Sequence, residues 1–336
     1  MHIPDGLIDL PTSFTAAAAA TGGVGESLRR VRRTAQERVV PLAGLAAAFV
    51  FVLQMLNFPV VAGTSGHLLG GALAAILLGP WVGVVVVAVV VVIQALVFAD
   101  GGVSALGLNV VNMALVTVLV GWVVFRAAAW ILPRTATSIV AATTLASWAS
   151  VVAASVAFTG EYAAGGSGGV ALGTVFGAMV GVHALIGIGE GLISGLVVSA
   201  VLASRPDLVV GARVAGFRGS GRSRVSRGAV GGFVAAGVGV AVFLLAVVAP
   251  RASSSPDGLE RVAADHGIAG TAVDSFAAAS PLADYDVGGL GGDLRTILAG
   301  LVGLGLAFGV GAAATRVRSR RRRAAVEVPT VAEASS

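Results

Sequence analysis

The amino terminus of this sequence carries the residues best suited to binding a metal ion. The chain begins MHIPDG, so the imidazole of His2 lies one peptide bond from the amine of Met1. The terminal amine, the main-chain nitrogen of His2 and its Nδ1 atom can close two chelate rings around one cation. They would fill three corners of a square, the nitrogen geometry that Ni(II) and Cu(II) favour. The sequence therefore predicts a square metal site with one open corner.

A fourth nitrogen could come from one of three other histidines, His67, His183 and His266. We expect His67, in GTSGHLLGG, because it begins a short helix on the same membrane face as Met1. The positive end of a helix dipole keeps a nearby imidazole neutral, as a ligand must be. A lone histidine at either position is also compatible with a purely structural hydrogen bond.

Five polar residues within apolar segments are further candidates, for contacts around the metal or along its path. His183 and Glu190 are seven residues apart and share one helix face. An ionisable side chain inside lipid is a candidate functional residue, although a structural polar pair explains these two equally well. Gln94, Asn109 and Asn112 could surround the metal or could simply hydrogen-bond between helices.

Composition places the chain in a membrane. Hydrophobic residues make up 56% of the 336 positions and charged residues 12%, as in integral membrane proteins. All 22 basic residues are arginine, which excludes a P-loop for ATP because that loop needs lysine. Because the P-loop is excluded, any ATP hydrolysis is expected on a separate subunit. The absence of cysteine excludes disulfides, thiolate metal sites and thiol nucleophiles.

We predict an all-α integral membrane protein, a seven-helix transmembrane bundle followed by a two-helix transmembrane hairpin. A helix needs about 20 apolar residues to cross the hydrocarbon core. The third segment is too short to cross alone and should be buried among the others. The nine predicted helices are Pro11–Leu28, Val39–Phe58, Leu68–Leu78, Trp81–Phe98, Val103–Phe125, Thr137–Phe158, Val170–Leu202, Gly228–Ala249 and Thr296–Thr315.

Arginine clusters predict the orientation, because basic loops stay in the cytoplasm. With Met1 outside, every arginine cluster of the bundle falls on the cytoplasmic side, and so does the C-terminus. The clustering beside apolar runs indicates a plasma-membrane protein in contact with lipid, and not with nucleic acid. No cleavable signal peptide is expected, and Met1 should be retained because the bulky side chain of His2 disfavours its removal.

Changes in composition divide the chain into four parts. Residues 1–204 form the predicted metal-binding domain, 205–227 a basic cytoplasmic linker, 228–315 an accessory two-helix domain and 316–336 a cytoplasmic tail. In the outward loop of the accessory domain, Ser255 is a candidate N-cap and Pro256 a first-turn residue for a short helix that ends near Gly267.

Two glycine ladders at four-residue spacing lie in the seventh helix and would let another helix approach closely. That helix could belong to a partner subunit or to this chain. The ladders are Gly173, Gly177 and Gly181, and then Gly187, Gly191 and Gly195.

Several motifs together carry a resemblance to a known family. The segments MHIPDG, QMLNFPV, GTSGHLLGGALAAILLGPW, QALVFADGG, LGLNVVNM and HALIGIGEGLI resemble the substrate-specific M component (CbiM/NikM) of energy-coupling-factor cobalt/nickel transporters. The resemblance covers about residues 1–204. The later SSSPDGLE, between two helices, is similar to the small accessory N component, here fused to the first. The polar first helix departs from the pattern.

This resemblance implies capture of Ni²⁺ or Co²⁺ from outside by the amine of Met1, the main-chain and imidazole nitrogens of His2, and His67. It also implies a transmembrane coupling (T) subunit and two ATPases on separate chains, with transport by reorientation of the bundle. The transported metal would be the ligand, and neither a cofactor nor a catalytic residue is expected.

Function is therefore expected to be metal capture without enzymatic activity. A square nitrogen site and the PDGLE-type fusion lean towards nickel, but the residues alone leave Ni²⁺ and Co²⁺ open. A membrane carrier of a small organic substrate, or a membrane scaffold, is the alternative, with His2 incidental. An intramembrane hydrolase is disfavoured because no nucleophile and base stand together in the sequence.

Overall fold

The computed structural model describes residues 1–34, 36–61, 63–217, 227–288 and 290–316. Most of them are helical. The helices are α1 (Leu10–Thr34), α2 (Val39–Met55), α3 (Gly71–Leu78), α4 (Pro80–Val97), α5 (Leu106–Val110), α6 (Thr117–Ile131), α7 (Ala136–Gly165), α8 (Leu172–Ser204), α9 (Val210–Val214), α10 (Arg227–Phe243), α11 (Gly258–Asp265) and α12 (Leu294–Thr315).

Six helical segments in the described residues are long and apolar enough to cross a membrane, which confirms a multi-pass α-helical membrane protein. The predicted arrangement of seven helices followed by two is not confirmed in its exact count. Helix α1 has 25 residues but is polar on average, α2 has 17 residues and α3 has 8. The six are Pro80–Val97, Leu106–Ile131, Ala136–Gly165, Leu172–Ser204, Gly228–Arg251 and Leu294–Thr315.

Helix α1 runs six residues beyond its predicted end at Leu28. Glu26 forms ion pairs with Arg29 and Arg30, three and four residues ahead of it. Such pairs lie on one helix face and stabilise the helical conformation. The arginines that were expected to follow the helix are therefore part of it.

Helix α3 is short and buried, as predicted. It ends at Gly79, whose φ of +89° suits glycine, and Pro80 opens α4 at a first-turn position that needs no N–H. Before α3 lies a two-stranded antiparallel pair that the sequence analysis missed, β1 (Phe58–Pro59) and β2 (Ser65–Gly66). This pair and α3 together hold the loop that carries His67.

The two accessory helices pack on α2 and do not form a separate hairpin. The ring of Phe51 in α2 lies against Gly303 of α12, and Gly44 of α2 lies against the Phe308 main chain. Small residues allow this close approach between helices. The accessory part is therefore built onto the bundle.

The short helix α11 begins differently from the prediction. Its N-cap is Asp257, whose side chain accepts from the main-chain N–H groups of Leu259 and Glu260, while the Glu260 side chain accepts from the Asp257 N–H. This reciprocal capping box satisfies free N–H groups at the helix start. Ser255 is not the cap, and Pro256 precedes the helix instead of lying in its first turn.

Of the predicted linker, residues 205–217 form a 3₁₀ turn and α9, while 218–226 lie outside the described residues, as does the tail from 317. The second glycine ladder packs on α7, where Gly191 and Gly195 lie against Thr144. A Cβ atom added at position 173, 177 or 181 would meet no described atom within 4 Å, so only the second ladder serves packing within the described chain.

Candidate metal centre

The first residues of the chain are buried in the protein. Met1, Ile3 and Leu7 are each 3% exposed or less. The side chain of Asn109 in α5 holds Ile3 as a neighbouring strand would, since its Oδ1 accepts the Ile3 N–H at 2.7 Å and its Nδ2 donates to the Ile3 carbonyl at 3.1 Å. This clamp fixes the main chain next to His2.

Asp5 anchors the same segment to the turn before α5. Its Oδ1 accepts from the N–H of Ser104 at 2.7 Å and from the Ser104 hydroxyl at 2.6 Å. The main chain of Asp5 also pairs with Val273 of the accessory loop. Gly6, at a φ of +84°, passes so close to the Thr271 carbonyl that no side chain would fit. The amino terminus is thus held from both the bundle and the accessory loop.

The loop that carries His67 is fixed from the other side of the site. The carboxylate of Glu190 in α8 accepts from the N–H groups of Leu69 and Gly70, at 2.7 and 2.9 Å. Gln54 donates to the Leu69 carbonyl at 2.8 Å. Glu190 therefore positions the turn after His67, at the N-terminus of α3.

The imidazole of His67 is prepared to act as a ligand through Nε2. Its Nδ1 lies 3.0 Å from the Leu68 carbonyl, which can only accept, so Nδ1 carries the proton and Nε2 has a free lone pair. Burial, together with the positive charge of the terminus, lowers the pKa of His67. Nε2 lies 2.5 Å from the amine nitrogen of Met1, so both predicted ligands meet.

The ring of His2 stacks on that of His67, with centroids 5.0 Å apart. Its Nε2 lies 3.2 Å from Gln94 Oε1 and its Nδ1 lies 3.0 Å from the Asp100 carboxylate. The Tyr285 hydroxyl of the accessory loop donates to Asp100 at 2.6 Å. His2 is therefore at the site, but its Nδ1 faces a carboxylate.

Charge explains the state of Asp100. Burial opposes its ionisation, but His2, together with the hydrogen bond from Tyr285, outweighs burial and holds the pKa of Asp100 below its ordinary value. Burial and the neighbouring Asp100 charge raise the pKa of Tyr285 well above its usual range. Tyr285 thus stays a donor and Asp100 an acceptor.

Asp257 of the accessory loop also reaches the site. Its Oδ2 lies 2.7 Å from the Met1 amine and 3.7 Å from His67 Nε2. Burial opposes its ionisation, but the positive terminus and His67 outweigh burial and hold the pKa of Asp257 well below the usual range. Asp257, Asp100 and Tyr285 were not predicted as site residues, although the first two lie in the motifs PDGLE and VFADGG.

His183 lines a small cavity beside these groups. Its Nδ1 lies 2.8 Å from the Met179 carbonyl, which leaves Nε2 as a lone pair, and that buried atom has no described hydrogen-bond partner. The cavity, of about 10 Å³, is also lined by Met1, His67 and Asp257. A space of this size holds about one water-sized guest.

Asn112 lies away from the cluster. Its Nδ2 donates to Glu161 of α7 at 2.7 Å, and no described contact joins it to Met1 or His67. Within the described residues, no three His, Asp or Glu side chains form a metal site by themselves.

Two known families match most of the chain. Residues 2–208 match the family described as CbiM, cobalt uptake substrate-specific transmembrane region, and residues 231–320 match the PDGLE domain. A chain from Archaeoglobus fulgidus named as a putative fused nickel transport protein, NikMN, is 43% identical over 209 residues, 62% of this chain and 68% of that one. The cobalt transport protein CbiM of Geobacter sulfurreducens is 32% identical over 281 residues, 80% of this chain and 79% of its own length.

A solved structure of a truncated transition metal transporter aligns with this chain at a TM-score of 0.54 and 30% identity. The alignment covers 60% of this chain and 99% of the solved one. The chain therefore belongs to the family of cobalt uptake substrate-specific transmembrane regions, and it carries a PDGLE domain behind that region.

Proposed function

We propose that this chain is the substrate-capturing membrane component of an ATP-driven uptake system for Ni²⁺ or Co²⁺. The ligands are the amine of Met1, the main-chain nitrogen and Nδ1 of His2, and Nε2 of His67. The observation that carries the proposal is the 2.5 Å approach of the Met1 amine to His67 Nε2. Two nitrogens bound about 2.0 Å from one ion at a right angle lie about 2.8 Å apart.

The other polar residues position these ligands. Asn109 fixes the main chain beside His2, and Glu190 fixes the loop of His67. Gln94 holds the ring of His2 while Nδ1 faces Asp100. For Nδ1 to join the square, the ring must leave Asp100, and this step accompanies metal capture. His183 offers a further nitrogen beside the site. It is a candidate residue for the path that the ion takes deeper into the bundle.

Assembly follows from the proposed role. The end of the bundle that carries the metal site faces the outside, and the arginine-rich end faces the cytoplasm. ATP hydrolysis takes place on two separate ATPase subunits, which act through a transmembrane coupling subunit. Capture itself requires no chemistry beyond the loss of protons from the nitrogen ligands.

The cavity at the site argues against the organic-substrate alternative. A cavity of about 10 Å³ accepts an ion, whereas pockets for small organic molecules have volumes of about 300–1,000 Å³. The larger cavity of about 670 Å³ between α1, α4, α5 and α12 has a mainly apolar lining and no contact with the four ligands.

Extending the amino terminus tests the function directly. One residue added before Met1 converts the amine into an amide and should abolish Ni²⁺ binding in isothermal titration of the purified chain. A tag after Ser336 is the matched control and should leave binding unchanged. Equal binding by both variants would rule out ligation by the amine.

A second experiment tests His67, the proposed ligand that is distant from Met1 in the sequence. His67→Ala should weaken binding by more than about 100-fold, since loss of an outer partner alone costs 10–100-fold. His266→Ala changes the residue after α11, outside the cluster, and should have little effect. Equal losses in the two variants would contradict the assignment of His67.

A further inference from the structure

A carboxylate of the accessory loop points into the proposed metal site. Asp257 belongs to the PDGLE segment, 256 residues from Met1 in sequence, and is 8% exposed. Its two oxygens have different partners. Oδ1 accepts from Leu259 and Glu260 as the cap of α11, while Oδ2 faces the Met1 amine.

The position of Asp257 is set by the bundle as well as by its own helix. The Ser65 hydroxyl donates to the Ser255 carbonyl at 2.7 Å, and the Ser65 N–H donates to the Pro256 carbonyl at 2.9 Å. Ser65 lies in β2, two residues before His67. The strand pair that carries the histidine therefore also holds the segment that presents the carboxylate.

Three donor atoms converge on one point. The Met1 nitrogen lies 2.5 Å from His67 Nε2 and 2.7 Å from Asp257 Oδ2, and the last two atoms are 3.7 Å apart. A circle through three atoms at these separations has a radius of about 1.9 Å, close to the bond length of about 2.0 Å for nitrogen and oxygen ligands on a divalent ion. One cation can therefore contact all three atoms with only small shifts.

The negative charge of the Asp257 carboxylate would stabilise a divalent ion at this site. The amine and imidazole nitrogens are neutral ligands, and the main-chain nitrogen of His2, which must lose its proton to bind, offsets only one of the two positive charges that a divalent ion brings. The remaining charge in a buried site has a high cost in lost hydration. An anionic oxygen at bonding distance offsets part of this charge. Nitrogen and oxygen ligands together suit the divalent metals near Ni²⁺ and Co²⁺.

We propose that Asp257 is a direct ligand of the captured ion, supplied by the accessory loop to the site formed by Met1 and His67. Its Oδ2 binds the ion together with the two nitrogens while the His2 ring still faces Asp100. The accessory domain is then part of the coordination sphere, and not only a support for the bundle. This inference rests on the proposed function.

Asp257→Asn tests the inference in the full chain with its native terminus. Asparagine caps a helix as well as aspartate does, so α11 is retained while the anionic ligand is lost. We expect Ni²⁺ binding by isothermal titration to weaken at least about tenfold, and X-ray absorption of the bound metal to show one oxygen neighbour fewer. Asp274→Asn, an exposed acid of the same loop, is the control and should match the unmodified chain.

The sign of the change separates two roles of Asp257. If Asp257 only pairs with the terminal ammonium, its removal frees the amine, so binding stays equal or becomes tighter. That result would overturn the inference. A thermal melt and helix content equal to those of the unmodified chain would show that the weaker binding does not come from misfolding.

Failure of the inference is distinguishable from failure of the proposed function. If the unmodified chain binds no Ni²⁺ or Co²⁺, or if it binds equally with an added residue before Met1, the proposed function fails. If the added residue abolishes binding but Asp257→Asn does not weaken it, only the role of Asp257 fails.

Discussion

At the scale of single residues, the site depends on side chains that hold the main chain. Asn109 offers Ile3 one acceptor and one donor and so replaces a neighbouring strand. A buried main-chain N–H without a partner is costly, so the amino terminus enters the bundle only where such a partner exists. The geometry of Met1 and His2 therefore depends on a side chain that is distant in the sequence.

Replacement of this clamp should loosen the terminus. Asn109→Ala leaves the Ile3 N–H buried and unpaired, at a cost of about 1–3 kcal/mol. We expect Ni²⁺ affinity to fall at least about tenfold, as measured by isothermal titration. Asn112 is also a buried asparagine, three residues further along the chain, but it lies away from the cluster. Asn112→Ala should therefore leave affinity close to that of the unmodified chain. A larger loss for Asn112→Ala would contradict the assigned role of Asn109.

Protonation should oppose metal capture, because amine and imidazole nitrogens bind metal only without their extra proton. Since the pKa of His67 is lowered, this ring is already neutral above a pH of about 6.5. The expected result is affinity that falls on acidification, with little of the change above a pH of about 6.5 due to His67. Titration in buffers of different ionisation enthalpy counts the released protons. Affinity independent of pH would argue against nitrogen ligation.

At the scale of elements, the short strand pair and α3 hold His67, and α8 supports them. Helix α8 is long enough to cross the membrane and places Glu190 at the turn before α3. Gly70 adopts a φ of +76° in that turn, and the carboxylate satisfies two N–H groups that the helix start leaves free. A helix long enough to span the membrane therefore sets the position of His67, a proposed ligand that it does not contain.

Loss of this support should move His67. Glu190→Ala leaves the Leu69 and Gly70 N–H groups unpaired, and we expect binding of Ni²⁺ to weaken by about 10–100-fold. Glu161→Ala in α7 also removes a carboxylate from a spanning helix, but its partner is Asn112. Binding by the Glu161 variant should be close to normal, and an equal loss in both would indicate general unfolding.

At the scale of the whole molecule, the two ends of the bundle differ in chemistry. The amino terminus, His67 and the accessory loop meet at one end. Most of the described arginines lie at the other end, where Arg30 lies over the ring of Trp81 at 4.3 Å and Arg205 pairs with Asp207. The accessory segment contributes Arg251, Arg261 and Arg295 at the metal end. This asymmetry is the pattern expected of a protein with its basic end in the cytoplasm.

Single cysteines would reveal the orientation, because the sequence contains none. Ala264→Cys in α11 and Ala136→Cys at the start of α7 both change exposed positions, at the metal end and the basic end respectively. A maleimide that cannot cross membranes should label only the first in intact cells and both after lysis. Labelling of only the second in intact cells would reverse the proposed orientation.

The membrane class, most of the long helices and one half of the candidate site could be predicted from the sequence. Hydropathy gives the length of each apolar segment directly. Met1 and His2 are neighbours in the chain, so the chelate geometry of their nitrogens is a local property. The predicted number of crossing helices is not confirmed, because α1 was judged by its flanking arginines and is polar on average, and α3 has only 8 residues, as its short apolar segment indicated.

Which distant groups meet Met1 and His2 depends on tertiary packing. Asp257 contacts the Met1 amine, and Asp100 faces the His2 ring, through packing that joins the accessory loop to the bundle. No local pattern reports a contact across 256 residues, because side-chain spacing within one element carries no information on which elements pack together. The physical reason is that Asp257 is placed by hydrogen bonds from Ser65 to Ser255 and Pro256, 190 or more residues away, and these form only when the accessory loop packs on the bundle.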